Sequence, residues 1–334
     1  NLSKNLILLH QKLKQNQQKT YGESLMYKYN HVIFCKSYRG DLKRIKNLKS
    51  SIDKFNADKI PFVICCPDSD KELFYQELQT HQENYDFLIV TDEEVLSANN
   101  LSTDSIQTWK TQQVIKLGFY RLNLSRFYTI YDSDCYFISN FYTSDFMYTP
   151  DIPYTFMSCT IDPNSIYHKI KDFFNRTGPT YDFVHMSQTF SAEILNDMDK
   201  NLLTAKNLTF PDLIEICPYE FNWYGEYLIK CDLQKIIPAM PKVRTYFYQE
   251  DYVLDRHRGV RVSDIISMGY NCICMQSGWL NRFIYKNPWY SKLARIKRNV
   301  FFKKHSGHKS DPVRLFILYF YKIPVWTIKE IFKN

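Results

Sequence analysis

Between residues 31 and 131 short apolar runs alternate with amphipathic stretches, and that rhythm predicts a chain of strands separated by helices. His31–Cys35, Pro61–Cys66, Asp86–Val90 and Phe127–Tyr131 read as four strands. After the first of them, Leu42, Ile45, Leu48 and Ile52 recur at spacings of three and four and predict a helix through Phe55. Two further helices are expected over Lys71–Gln82 and Ser105–Asn123, the second carrying Trp109, Gln112, Gln113 and Lys116. Alternation at this pitch implies βαβ units, hence an α/β fold with a mixed, mainly parallel sheet flanked by helices. Ligands of such sheets gather beyond the carboxyl ends of the strands, so Lys36–Asp41 and Thr91–Glu94 are expected at the ligand edge. Past residue 150 short strands and helices mix, and two more strands are expected in 243–280, flanking Asp255–Gly259.

Composition narrows the classes. With only 9 glycines and no GxGxxG or Walker-type sequence, a dinucleotide-dependent oxidoreductase and a P-loop nucleotidase are both disfavoured. The 26 Tyr and 24 Phe suit stacking on sugar or base rings, but such residues equally enrich in strands and cores. Nine cysteines, an odd number scattered through apolar runs with no CxxC, do not form a disulfide framework, and a reducing, cytoplasmic location is expected. Cys272 and Cys274 share one face of an apparent strand, yet no second ligand pair lies close in sequence, so zinc is disfavoured. Residues 1–30 are polar, with Lys4, Lys12, Lys14 and Lys19 breaking every apolar run, unlike a secretory leader. The chain opens on Asn1, so its natural start is expected further upstream.

The decisive motif is Asp132-Ser133-Asp134, at the end of the fourth strand. Alternate residues of an extended chain share a face, so Asp132 and Asp134 are expected to point at one hard divalent cation, Mn²⁺ or Mg²⁺. That cation would neutralise charge on a departing diphosphate. Two acids two residues apart often mark only a solvated turn; it is their position after four strands and a helix that favours the metal reading.

The run Trp109–Leu117, followed by Phe127–Asp134, resembles bacterial glycosyltransferase-like proteins of a poorly characterised GT-A family found in polysaccharide loci. The resemblance covers roughly residues 30–280 and implies a GT-A-like (Rossmann-like) fold. It places Lys36, Arg39 and Asp41 near the nucleotide and Gln113, Lys116, Asp132, Ser133 and Asp134 near the donor phosphates or sugar. For Arg39 and Asp41 the plain structural alternative is a helix N-terminal turn, and for Gln113 and Lys116 one polar helix face. Pro218–Tyr227 resembles the family's acidic, aromatic segment, where an acid that starts a helix often serves as base. Glu220 is the first choice for that base and Glu226 the second, with Asn222 standing where a second acid is common. Trp223 and Tyr224 are expected to stack on an acceptor sugar or to pack in the core. His185 and Gln188 are candidates to line the acceptor cleft, with a structural role the alternative for His185, and His257 is a candidate late metal or diphosphate contact, against an exposed charged turn.

From Arg282 to Lys309 the chain carries Lys and Arg without Asp or Glu, and residues 311–332 add bulky apolar side chains. Each basic residue near an anionic leaflet contributes about 1 kcal/mol of attraction, so this segment is expected either to attach to a membrane or to pack as an amphipathic helix. A net charge of +8 permits nucleic-acid binding, but no recognised module accompanies it, and none is expected. The expected organisation is a lead-in over 1–30, a catalytic domain over 31–280 and a basic, helical C-terminal extension over 281–334.

The function expected is metal-dependent transfer of a sugar from a nucleotide-sugar donor to a surface-glycan acceptor, free or lipid-linked and of capsule or lipopolysaccharide type. The enzyme would sit peripherally on the inner face of a bacterial cytoplasmic membrane. The rivals are a nucleotide-sugar pyrophosphorylase or nucleotidyltransferase, and a non-catalytic membrane-surface or nucleic-acid-binding protein.

Overall fold

The structure is a computed structural model that describes residues 27–78, 84–102, 106, 108–160, 162, 164–247, 251–252, 254–255 and 258–276. The lead-in up to residue 26, His257 and the whole basic extension lie outside the described residues. Described residues 27–245 and 262–275 form one compact unit, while 246–261 and 276 fall to a second. In that second unit the Tyr246 hydroxyl donates to Asp255 Oδ2 at 3.0 Å, and the Tyr252 ring meets the Tyr246 ring edge-on.

The first unit is mixed α/β, with a central sheet that is mainly parallel, as the alternating pattern predicts. Strands β1 (Tyr29–Lys36), β2 (Phe62–Cys66), β3 (Phe87–Thr91) and β4 (Ser125–Ile130) are parallel, in the spatial order β3-β2-β1-β4. A short strand, Thr189–Ser191, pairs antiparallel on the outer side of β4. β1 and β2 are covered on both faces and are buried almost throughout, which is why they read as unbroken apolar runs rather than alternating ones.

Helix α1 (Leu42–Phe55) buries Ile45, Leu48 and Ile52, the stripe expected from the spacing. Its Ser51 Oγ accepts from the Phe137 amide of β5 (Cys135–Phe137), tying the helix to the chain that leaves β4. Helix α2 spans Asp68–Leu78, and α3 spans Asp92–Ala98. Thr91 starts α3 with a reciprocal cap: its hydroxyl accepts from the Glu94 amide while Glu94 accepts from the Thr91 amide. Helix α4 runs Thr108–Gly118 and tightens into a 3-10 turn that Asn123 closes with φ 51°. Strands do flank Asp255–Gly259, at Val243–Tyr246 and Cys272–Met275, and the latter pairs antiparallel with β5.

Much of the aromatic surplus goes into this core. Phe34 packs on Phe119 at 4.3 Å, Phe119 meets Tyr128 edge-on at 4.9 Å, and Tyr128 meets Phe190 at 5.7 Å. Helix α5 (Glu220–Cys231) joins them closely: a Cβ at Gly225 would lie 2.3 Å from the Phe183 ring, so only glycine allows this approach.

One buried base sets a pH limit on the fold. His31 in β1 is buried, its Nε2 2.7 Å from Thr129 Oγ1, and its Nδ1 has no hydrogen-bond partner among the described residues. Burial lowers its pKa to about 3. The unfolded chain therefore binds a proton that the fold does not, between the unperturbed value near 6.5 and about 3. Stability from this group is complete above pH 6.5 and falls by about 1.4 kcal/mol per pH unit below it. Replacing His31 by Leu, which leaves Thr129 bonded to Thr189, should flatten that dependence; urea midpoints of both proteins from pH 7 to pH 4 measure it.

Candidate functional site

From β1 the chain moves outward to β2 and β3 and then crosses back to β4 on the other side. The strand order therefore reverses between β1 and β4, and a crevice is expected at their carboxyl ends. Two segments reach that edge: Lys36–Asp41 from β1 and Tyr131–Asp134 from β4. Tyr131 still bonds β1, its amide donating to the Phe34 carbonyl at 2.9 Å, before the chain turns with the Cys135 amide on the Asp132 carbonyl. The Ser133 hydroxyl then donates to Asp41 Oδ2 at 3.0 Å, joining the two segments across the strand ends. Asp41 also pairs with Arg44 of α1.

Lys116, in the last turn of α4, is the electrostatic centre of the site. Its Nζ lies 3.0 Å from Asp132 Oδ1 and 2.9 Å from Glu220 Oε1, and the ammonium side chain is 5% exposed. Glu220, the first residue of α5, is equally buried, whereas the Asp132 carboxylate is 38% exposed. Burial by itself would lower the Lys116 pKa, but the two carboxylates outweigh it and hold the pKa above its ordinary value. The ammonium also sits 5.1 Å from the Phe221 ring centroid, a cation–π contact in a water-poor setting. The result is an ion-paired triad that shows solvent one carboxylate, that of Asp132.

Asp134 bonds the neighbouring strand, Cys272–Met275. Its Oδ1 accepts from the Cys274 thiol at 3.3 Å and its carbonyl from the Met275 amide at 3.0 Å. The two aspartates thus have different protein partners on neighbouring elements.

The structure redistributes the other expected site residues. Glu226, expected as an alternative base, is buried in a two-toothed pair with Arg176, both bonds at 2.6 Å. It locks α5 to the loop before residue 180 and is closed to an acceptor. Glu220, expected as the first-choice base, is 4% exposed and paired with Lys116 at 2.9 Å. Trp223 is fully buried against Phe173 and Phe174, with its indole N–H on the Cys217 carbonyl. Tyr224 stacks on Phe190 at 4.1 Å and accepts from the Ser191 amide. Neither ring offers a face to a sugar.

Gln188 is wholly buried, its side-chain carbonyl accepting from the Phe156 amide, so it lines no cleft. The Gln113 amide end lies against the Trp109 and Lys110 carbonyls of its own helix, which its nitrogen satisfies once its amide is assigned by its neighbours. Arg39 is claimed by Asp70 of α2, which bonds both its backbone and its guanidinium. Lys36 pairs with Asp92 at 3.0 Å and donates to the Ser37 carbonyl at 2.7 Å. His185 is half-buried, 3.4 Å from Ser158 Oγ, with burial lowering its pKa against the pull of Asp182. His257 lies outside the described residues.

Two residues at this edge lie within the segments expected there but were not singled out by the sequence. Asp92 anchors Lys36; burial raises its pKa, Lys36 opposing. The only sequence signal for it is its place directly after β3. Tyr38 is 52% exposed beyond β1, its ring over Gly40, where a Cβ would come within 2.4 Å.

Residues 30–154 match the profile of a family of unknown function (DUF6492), a stretch that runs from the second residue of β1 past β5 and includes the Asp132–Asp134 turn. No curated protein matches the chain in sequence. Among solved structures, the crystal structure of mouse xyloside xylosyltransferase 1 in its apo form is similar at a TM-score of 0.44 and 7% identity, covering 75% of this chain and 98% of that one.

Removing Lys116 leaves Glu220 as an unpaired buried charge. Lys116→Met should therefore cost about 3–5 kcal/mol, and adding Glu220→Gln should recover a large part of it. Urea unfolding of the single and double variants decides this; equal losses in both would refute the bridging role.

Proposed function

We propose that the protein is a glycosyltransferase that uses a nucleotide-sugar donor and passes the sugar to a glycan hydroxyl. The observation that supports this best is the Asp132–Lys116–Glu220 triad at the carboxyl edge of β4, where the strand order reverses. A buried, doubly paired ammonium holds Asp132 at the strand edge, its carboxylate partly exposed, while the rest of the triad stays dry. That is the preorganisation a charged leaving group needs.

Asp132 and Asp134 offer carboxylate oxygens, the donors that hard divalent ions prefer, and they fit Mn²⁺ or Mg²⁺. Bound there, such an ion would supply charge neutralisation for the departing diphosphate. Lys116 adds a second positive centre behind Asp132 and fixes its orientation. Glu220 holds Lys116 in turn. Tyr38, exposed beside the first-strand loop, is placed to stack on a nucleobase.

The sparse glycine content and the absence of a Gly-rich phosphate loop after β1 favour transfer over pyrophosphorolysis. The surface-glycan acceptor and peripheral attachment to the inner face of a bacterial membrane rest on the sequence resemblance and the basic segment 282–309. Among the described residues no helix is long and apolar enough to cross a membrane.

Thermal-shift measurements against UDP-, GDP-, CMP- and TDP-sugars, with and without Mn²⁺, test the reading. The true donor at a hundred times its Kd should stabilise the protein by about 2.7 kcal/mol, and more with the metal than without. Asp132→Asn keeps the Lys116–Glu220 pair and hence the fold, but should lower metal-dependent donor turnover by about a hundredfold or more. Silence toward every nucleotide sugar would overturn the proposal.

A further inference from the structure

Cysteine spacing along the chain shows no ligand set, because the partners come from strands far apart in sequence. Across the antiparallel pair of β5 and Cys272–Met275, Cys135 stands directly opposite Cys274. Direct cross-strand partners share a face of the sheet, so both thiols leave the ladder on the same side. Asp134 precedes Cys135 and reaches the same spot, its Oδ1 accepting from the Cys274 thiol at 3.3 Å across 140 residues of sequence. One carboxylate oxygen and two sulfur atoms lie within 4.8 Å of one another.

We infer that Asp134, Cys135 and Cys274 form a binding site for a thiophilic divalent ion of the Zn²⁺ class. With Zn–S near 2.3 Å and Zn–O near 2.0 Å, a tetrahedral centre sets its ligand atoms roughly 3.3–3.8 Å apart. The group as it stands needs only a small contraction to reach that spacing. Its backbone is already fixed, since the Met275 amide bonds the Asp134 carbonyl at 3.0 Å and the Cys135–Cys274 register holds the strands. Both cysteines are about 1% exposed while Asp134 is half-buried, so an ion gains access past the carboxylate and meets the thiols behind it.

Three protein ligands leave the fourth tetrahedral position to water or to a substrate oxygen, the arrangement of an open site. On binding, each thiol gives its proton to solvent and coordinates as thiolate. Mg²⁺ and Mn²⁺ prefer all-oxygen sites, so the two thiols select against them. Binding here does not depend on the transferase reading, although Asp134 belongs to both sites.

Titration of the reduced full-length chain with Co²⁺ under anaerobic conditions tests this. A thiolate-to-cobalt charge-transfer band should grow to one equivalent per chain and be bleached by Zn²⁺ but not by Mg²⁺. Cys135→Ser and Cys274→Ser should each lose the band, whereas Asp132→Asn and Cys159→Ser should keep it. Because serine at a buried position threatens the fold, the zinc X-ray absorption spectrum of the unaltered protein provides an independent reading. Two sulfur scatterers near 2.3 Å support the site. A shell of nitrogen and oxygen alone, no band in the unaltered protein, or a band that survives both serine variants overturns it.

Discussion

One buried cation, Lys116, ties α4 to the turn after β4 and to α5 at the carboxyl edge of the sheet. Lys116 is reached by one carboxylate from the turn after β4 and another from the first residue of α5, so three elements meet on one ammonium. A charge in so dry a place is tolerable only with its partners present, which makes the arrangement all-or-none. Around it the backbone continues the theme: the Tyr128 hydroxyl of β4 donates to the Lys116 carbonyl, fixing α4 on the strand beneath. The site is thus part of the core and not a loop set upon it.

Much of the scaffold was legible in the sequence. The four strands and α1 follow from periodicity, because a strand covered on both faces and a helix covered on one leave distinct patterns. The turn at Asp132–Asp134 could be placed for the same reason, since it ends the fourth such run. Ion pairs were not legible. Nothing local in the sequence tells that Arg39 belongs to Asp70, Lys36 to Asp92 or Glu226 to Arg176, because each pair is closed by tertiary packing.

The acidic, aromatic segment shows where local reading fails. Glu220, Trp223, Tyr224 and Glu226 lie within seven residues and look like a binding surface. All four are buried, because α5 is covered around most of its circumference. A helix surrounded in this way keeps polar groups only by pairing them inside, so its acids reveal the neighbours they satisfy. The cysteines err in the opposite direction: Cys272 and Cys274 seem isolated until β5 supplies Cys135 from the far side of the chain.

The bond between Ser133 and Asp41 bears on what a ligand meets at this edge. It spans the gap between the segment leaving β1 and the segment leaving β4 and ties the two together. A ligand that takes the Asp41 carboxylate or the Ser133 hydroxyl for itself must break this link, and so meets both banks at once.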